Sequence, residues 1–217
     1  MNNSLQEYLN FANKLADEAN TISMEYFRTS LDVENKSDET PVTIADKNTE
    51  LKLRSMIEKE YPNHGILGEE FDSINSDAEF IWVIDPIDGT KELINGSDEF
   101  TLNIALINKQ KPILGAIYQP MKDSIFLGGT DLPPKKIIDE KTEFLSNKNN
   151  QICNVLISKS HSSEEEMDFC AKVMSKFKGS KVISMGSCFV GFVRELQTFI
   201  LDLETFILGT LQLDTLF

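Results

Sequence analysis

The 217-residue chain carries 35 acidic and 21 basic residues, a formal charge of −14. So acidic a surface disfavours nonspecific binding to nucleic acid or an anionic membrane, and the length is enough for a substantial core in one large or two small domains. Cys153, Cys170 and Cys188 form no Cys-x-x-Cys and read as reduced thiols, no basic-then-apolar leader is present, and no uncharged apolar run of about 18 residues could span a bilayer, so the expected location is cytoplasmic.

From Ser4 to about Arg28, Leu5, Leu9, Ala12, Leu15, Ala16, Ala19 and Ile22 recur at helical spacing, and Ser4 with Glu7 forms a capping-box pattern. This helix reads as scaffold. Residues 31–40 are polar, acidic and without period, which predicts a surface loop. Thr43 or Asp46 opens a second helix that carries Leu51, Leu53, Met56 and Ile57 and ends before Pro62. Residues 64–69 and 80–85 read as strands joined by an acidic polar loop. Residues 100–107, 112–119 and 124–128 read as antiparallel strands, with turns at Asn108-Lys109 and Pro120-Met121-Lys122-Asp123. Residues 131–150 are polar, contain Pro133-Pro134 and Asn147-Lys148-Asn149-Asn150, and are expected to include the boundary between two units. After it, 155–158 and 181–185 read as strands flanking a helix capped by Ser162-Ser163-Glu164-Glu165, the order of a parallel α/β unit. His161, near that helix start, is assigned no role.

The chemistry concentrates in Trp82-Val83-Ile84-Asp85-Pro86-Ile87-Asp88-Gly89-Thr90. An apolar strand ends in two carboxylates, a glycine able to turn sharply, and a hydroxyl at the start of a short helix. Taken alone, Asp-x-x-Asp is an ordinary solvated turn, and Asp46 an acid favoured by a helix dipole. However, Leu67-Gly68-Glu69-Glu70 and Pro41-Val42-Thr43-Ile44-Ala45-Asp46 also deliver carboxylates at element ends. Hard cations take such oxygen ligands and phosphates take freed N–H groups, so one metal-dependent phosphate site accounts for all three.

These motifs resemble the inositol monophosphatase family of magnesium-dependent, lithium-sensitive phosphatases, over roughly residues 4–187. Lys91-Glu92-Leu93-Ile94 and the stretch from Glu99-Phe100-Thr101 to Ile107 are similar to its bacterial 3'(2'),5'-bisphosphate nucleotidase branch. The resemblance implies an α/β, sugar-phosphatase-like fold of layered α-β-α-β-α type with its C-terminal half incomplete. Residues 1–135 would form an α+β unit with the metal and phosphate motifs, 136–187 the start of an α/β unit, and 188–217 an aberrant tail. It implies hydrolysis of a phosphate monoester in sulfur metabolism, adenosine 3',5'-bisphosphate giving AMP and phosphate; an inositol or sugar phosphatase and an inactive remnant are the alternatives. Glu69, Asp85, Asp88 and the Ile87 carbonyl would ligate Mg2+, with two ions about 3.5–4 Å apart. Asp46 and Thr90 would orient the attacking water, Gly89 and Thr90 would cradle phosphate, and Glu70 would support the metal's outer shell. Glu69, Ile87 and Asp88 would also face the substrate. The loop over 31–40 would fold over the site and help hold a further ion. The resemblance also allows a homodimer and peripheral association with the inner membrane.

The tail departs from this pattern. No lysine follows Lys181 and no asparagine follows Asn154, while Leu and Phe abound after Cys188. The family's Trp-Asp motif is missing. Codons chosen for 209–217 and read from the preceding third base give Trp-Asp-Thr-Ala-Ala-Gly-His-Phe-Ile. The same shift over 197–204 gives Asp-Ile-Tyr-Pro-Arg-Phe-Gly, also typical of the family. A frameshift near Ser187 or Cys188 explains both. Nucleotide sequencing of this region is expected to show Trp-Asp codons in the shifted frame; stop codons there would sink the idea.

Overall fold

The computed structural model describes residues 4–29, 33–35, 41–145, 155–158 and 182–185, with 168, 171, 172 and 175. The suspect tail, and most of the helix expected after Ser162, lie outside the described residues. Among the described residues no helix is long and apolar enough to cross a membrane.

Helix α1, Leu5–Tyr26, starts at its expected cap. Ser4 Oγ accepts the Glu7 N–H at 3.3 Å, and Glu7 Oε2 accepts the Ser4 N–H at 2.7 Å. Two orphan N–H groups of the first turn are thereby satisfied. Its Leu9, Ala12, Leu15, Ala16 and Ala19 are buried, as their spacing predicts, together with Tyr8 and Phe11. The second helix, α2 (Ile44–Glu60), follows two short strands, β1 (Val33–Asn35) and β2 (Pro41–Thr43). β1 and β2 pair antiparallel, so the stretch expected to be only loop contributes a paired strand. Lys47 of α2 forms a salt bridge with Glu34 of β1.

Seven strands form the central sheet: β3 (Gly65–Gly68), β4 (Phe80–Asp88), β5 (Thr101–Asn108), β6 (Lys111–Gln119), β7 (Ser124–Gly129), β8 (Leu132–Ile138) and β9 (Lys141–Phe144). They lie in sequence order. β3 runs parallel to β4, and every later pair is antiparallel. Alternate residues of β4, β5 and β6, among them Trp82, Ile84, Ile104, Leu106, Leu114 and Ala116, pack beneath α1 and α2. Val83, Ala105, Ile117 and Phe126, which alternate with them, are buried on the other face. A second sheet pairs β10 (Val155–Ser158) with β11 (Val182–Met185) in parallel, with residues 168, 171 and 172 helical in between. The fold is therefore mixed α/β, with helices against a central sheet.

Two details differ from the sequence pattern. The polar stretch from 131 to 145, for which the sequence offered no element, holds the strand pair β8–β9. Asp139 and Glu140, both left-handed (φ 48° and 61°), turn one strand into the other. Pro133 and Pro134 fit because they fall where the β7–β8 register slips and before the β9 pairing begins. Likewise, Leu51 is not on the packed face of α2: it is 51% exposed, whereas Thr49, Glu50 and Arg54 are buried.

His64, before β3, is the other surprise. Its ring stacks on Tyr61 (4.7 Å) and Phe80 (5.0 Å), and its Nδ1 accepts the Trp82 indole N–H at 3.2 Å. Burial pushes its pKa below the ordinary value. The unfolded chain, with a His pKa near 6.5, then binds the proton more readily than the folded one. The stabilisation is complete above pH of about 6.5 and is lost as pH falls through the lowered folded value. Urea midpoints should therefore drop between pH 7.5 and 5.5 more in the wild type than in His64→Phe. Equal slopes would show that His64 does not titrate with folding.

Candidate active site

The site is built where β4 ends. Asp85 pairs with Asn103 and Asp88 with Thr101, so three steps on β4 match two on β5. This bulge carries an extra residue and re-aims the side chains on either side of it. β4 therefore runs on to Asp88 rather than stopping at Asp85 as expected. Gly89 follows at φ +100°, and helix α3, Thr90–Ile94, begins directly after it. A Cβ at Gly89 would lie 2.9 Å from the Glu99 carbonyl oxygen and 3.2 Å from Phe100 Cα, so both conformation and space require glycine.

Asp46 reaches the same place from the first turn of α2. Its Oδ2 accepts the Thr43 N–H at 2.8 Å and the Thr43 hydroxyl at 2.6 Å, a capping box. Its Oδ1 accepts the Thr90 hydroxyl at 3.0 Å, bridging 44 residues of sequence. The Ile87 carbonyl lies 3.2 Å from the same hydroxyl. Burial lifts Asp46 above the usual carboxylate range, against the hydrogen bonds from Thr43 and Thr90.

Asp85 is more deeply placed, 4% exposed. Its Oδ2 faces Asn103 Nδ2 at 3.5 Å, while its buried Oδ1 has no hydrogen-bond partner among the described residues. Burial first, then the charges of Glu69 and Asp88, hold its carboxyl well above the ordinary range. Glu69, just after β3, lies beside Asp85, the two carboxyls near enough to share a proton when one of them is protonated. Thr101 Oγ1 stands 3.4 Å from Asp88 Oδ2. Ile87 buries its side chain with Ala45, Leu93 and Phe100. Glu70 enters through its backbone, its N–H donating to Glu50 Oε2 at 2.8 Å.

The structure thus brings Asp46, Thr90 and the Ile87 carbonyl into contact, and Glu69 against Asp85. Glu69, Asp85 and Asp88 suit a hard cation such as Mg2+: all offer oxygen, they repel one another, and the buried Asp85 Oδ1 lacks a donor. They are neighbours rather than a preformed cage, for among the described residues no three acidic, His or Cys groups already stand at metal-ligand spacing.

A sequence profile of the inositol monophosphatase family matches residues 4–193. The chain belongs to that family. It is 41% identical over 126 residues to the bifunctional phosphatase IMPL2, chloroplastic, of Arabidopsis thaliana, covering 57% of this chain and 36% of that protein. It is 33% identical over 132 residues to the 3'(2'),5'-bisphosphate nucleotidase CysQ of Haemophilus influenzae, covering 58% of this chain and 49% of that one. The chain thus spans half or less of the length of these two relatives. Among solved structures, CysQ from Bacteroides thetaiotaomicron aligns with a TM-score of 0.70 at 25% identity, covering 85% of this chain and 74% of that one.

Thr43, Glu50, Arg54, Thr101 and Asn103 are parts of the site's surroundings that the sequence reading missed. The signal for two of them was present: Asp46, Glu50 and Arg54 are four apart and share one helix face. The glycine turn gives a direct test. Gly96 is also left-handed (φ +68°), but a Cβ there would meet nothing nearer than Arg28 Cγ at 3.4 Å. Gly89→Ala should cost about 1–3 kcal/mol in denaturant unfolding, and Gly96→Ala less. Equal losses would show that the close approach of Glu99 and Phe100 is not a constraint.

Proposed function

We propose that this chain carries the water- and metal-binding part of a phosphate monoester hydrolase of the 3'(2'),5'-bisphosphate nucleotidase kind, acting on adenosine 3',5'-bisphosphate. The observation that carries the reading is the Asp46–Thr90 hydrogen bond set beside the Asp85–Asp88 bulge. Lys91-Glu92 and the segment from Glu99 to Ile107, together with the likeness to CysQ proteins, support the nucleotide over an inositol or sugar phosphate. Mg2+ held by Glu69, Asp85, Asp88 and the Ile87 carbonyl would lower the pKa of water and offset the charge of a phosphate.

The protein's own groups account for the rest. Thr90 gives its hydroxyl proton to Asp46 Oδ1, which leaves the Thr90 oxygen lone pairs to accept a proton of the incoming water. The water oxygen bonds to phosphorus as the bond from phosphorus to the ester oxygen breaks; the water's proton passes by way of Thr90 to Asp46, and the departing ester oxygen takes up a proton from bulk water to become the sugar hydroxyl. Asp46, raised by burial, can take up proton density through Thr90. With a net charge of −14 the protein repels a phosphorylated substrate, so the site depends on cations rather than on the surface to attract it.

Phosphate release should be measured from adenosine 3',5'-bisphosphate, inositol 1-phosphate and fructose 1,6-bisphosphate, with Mg2+. The 217-residue chain is expected to be nearly inactive, lacking the family's Trp-Asp carboxylate, and restoring the frame after codon 187 should give turnover of the nucleotide. In the restored protein Asp46→Asn and Thr90→Ala should lower kcat by about 10²–10⁴-fold with little change in KM. Preference for a sugar phosphate would move the assignment to the other branch. Ordinary turnover by the 217-residue chain would refute the importance of the missing motif.

A further inference from the structure

A second buried charged cluster lies outside the groups that the proposed chemistry uses. Glu50 and Arg54 stand one helical turn apart on α2, 0% and 5% exposed. Glu50 Oε1 accepts Arg54 Nε at 2.8 Å and the Phe71 N–H at 3.2 Å, and Oε2 accepts the Glu70 N–H at 2.8 Å. Arg54 Nη1 and Nη2 donate to the carbonyls of Asp72 at 2.9 Å and Phe71 at 2.7 Å. The Arg54 guanidinium also lies 5.8 Å from the centre of the Phe71 ring. Apart from their mutual bond, all these polar contacts go to the main chain just after Glu69. A Cβ on Gly68 would sit 2.0 Å from Glu50 Oε1, so glycine lets the end of β3 settle on this carboxylate.

Two side chains on one helix thus hold both donors and acceptors of a three-residue segment. An arrangement of this kind fixes the direction in which the preceding residue leaves the strand. That residue is Glu69, which meets Asp85. We propose that the Glu50–Arg54 pair is a positioning device: it locks the backbone of residues 70–72 so that Glu69 faces Asp85, and through this sets the affinity for a divalent cation. The second half rests on the metal reading above; the first does not. A purely structural pair would support α2 without governing the segment or the ion.

The test uses the full chain, amide hydrogen exchange at Glu70 and Phe71, and Mn2+ binding followed by electron paramagnetic resonance. Glu50→Leu combined with Arg54→Met removes both charges and leaves neither buried alone. Its unfolding midpoint should stay near that of the wild type, while exchange at the two amides rises at least tenfold and Mn2+ affinity falls about 10–100-fold. Arg54→Lys, which keeps the charge but loses the planar fork, should fall between the two and serves if the double variant does not fold. Unchanged exchange and unchanged Mn2+ affinity in a folded variant would overturn the proposal. Faster exchange in a chain whose wild type binds no Mn2+ would keep the positioning role and remove the metal reading.

Discussion

Four carboxylates crowd the ends of β3, β4 and the first turn of α2 in a chain that already carries a charge of −14. The rest of the site can be understood as an answer to that repulsion. At about 4 Å two like charges cost on the order of 1 kcal/mol in water and several times more where water is thin. Fixed donors therefore stand by three of these acids and by Glu50, which holds the segment after Glu69. Thr43 and Thr90 serve Asp46, Asn103 faces Asp85, Thr101 stands by Asp88, and the main-chain N–H groups of Glu70 and Phe71 go to Glu50. Asp85 Oδ1, buried and without a donor among the described residues, is left over. Such an atom costs roughly 1–3 kcal/mol if nothing meets it, and a cation meets it better than any neutral donor.

The donors can be in place because the fold delivers them from separate elements. The sheet sets Asp85 opposite Asn103 and Asp88 opposite Thr101 by register alone. The bulge between the two acids adds one residue, without which Asp88 would not share its neighbourhood with Asp85. Gly89 then reverses the chain so tightly that Thr90 meets a helix cap lying 44 residues earlier. Sheet register, bulge and capping box are local devices, and the site exists where the three coincide.

Much of this is legible in the sequence. The periodicity of Leu9, Ala12, Leu15, Ala16 and Ala19 gives α1 and its buried face, and the Ser4–Glu7 box gives its start. The runs around Ile84, Ile104 and Ala116 give the central strands. β8 and β9 are not legible, because their strand character comes from pairing, β8 with β7 and β9 with β8, rather than from burial: β9 is exposed throughout, and Lys135, Lys136 and two prolines look like loop. The Asp46–Thr90 contact is legible only by resemblance, since no local pattern joins residues so far apart. Glu50 and Arg54 escape for a different reason. A Glu and an Arg four apart are what a solvated helix face also shows, and only the packing of β3 against α2 reveals that this stripe points inward.

That stripe has a further implication. A buried ion pair is a weak source of stability: replacing both partners by apolar residues is often neutral or stabilising by about 1–4 kcal/mol, whereas losing one partner costs about 3–5 kcal/mol. Two leucines at positions 50 and 54 would fill the space beneath the sheet at no greater cost. They could not, however, accept the N–H groups of Glu70 and Phe71 or donate to the carbonyls of Phe71 and Asp72, and four main-chain groups would be left to find water. An apolar α2 would thus free the very segment that bears Glu69. The same helix that sends Leu53 and Ile57 into the core keeps a charged edge from Asp46 to Arg54, and that edge joins the two acidic loops into one site.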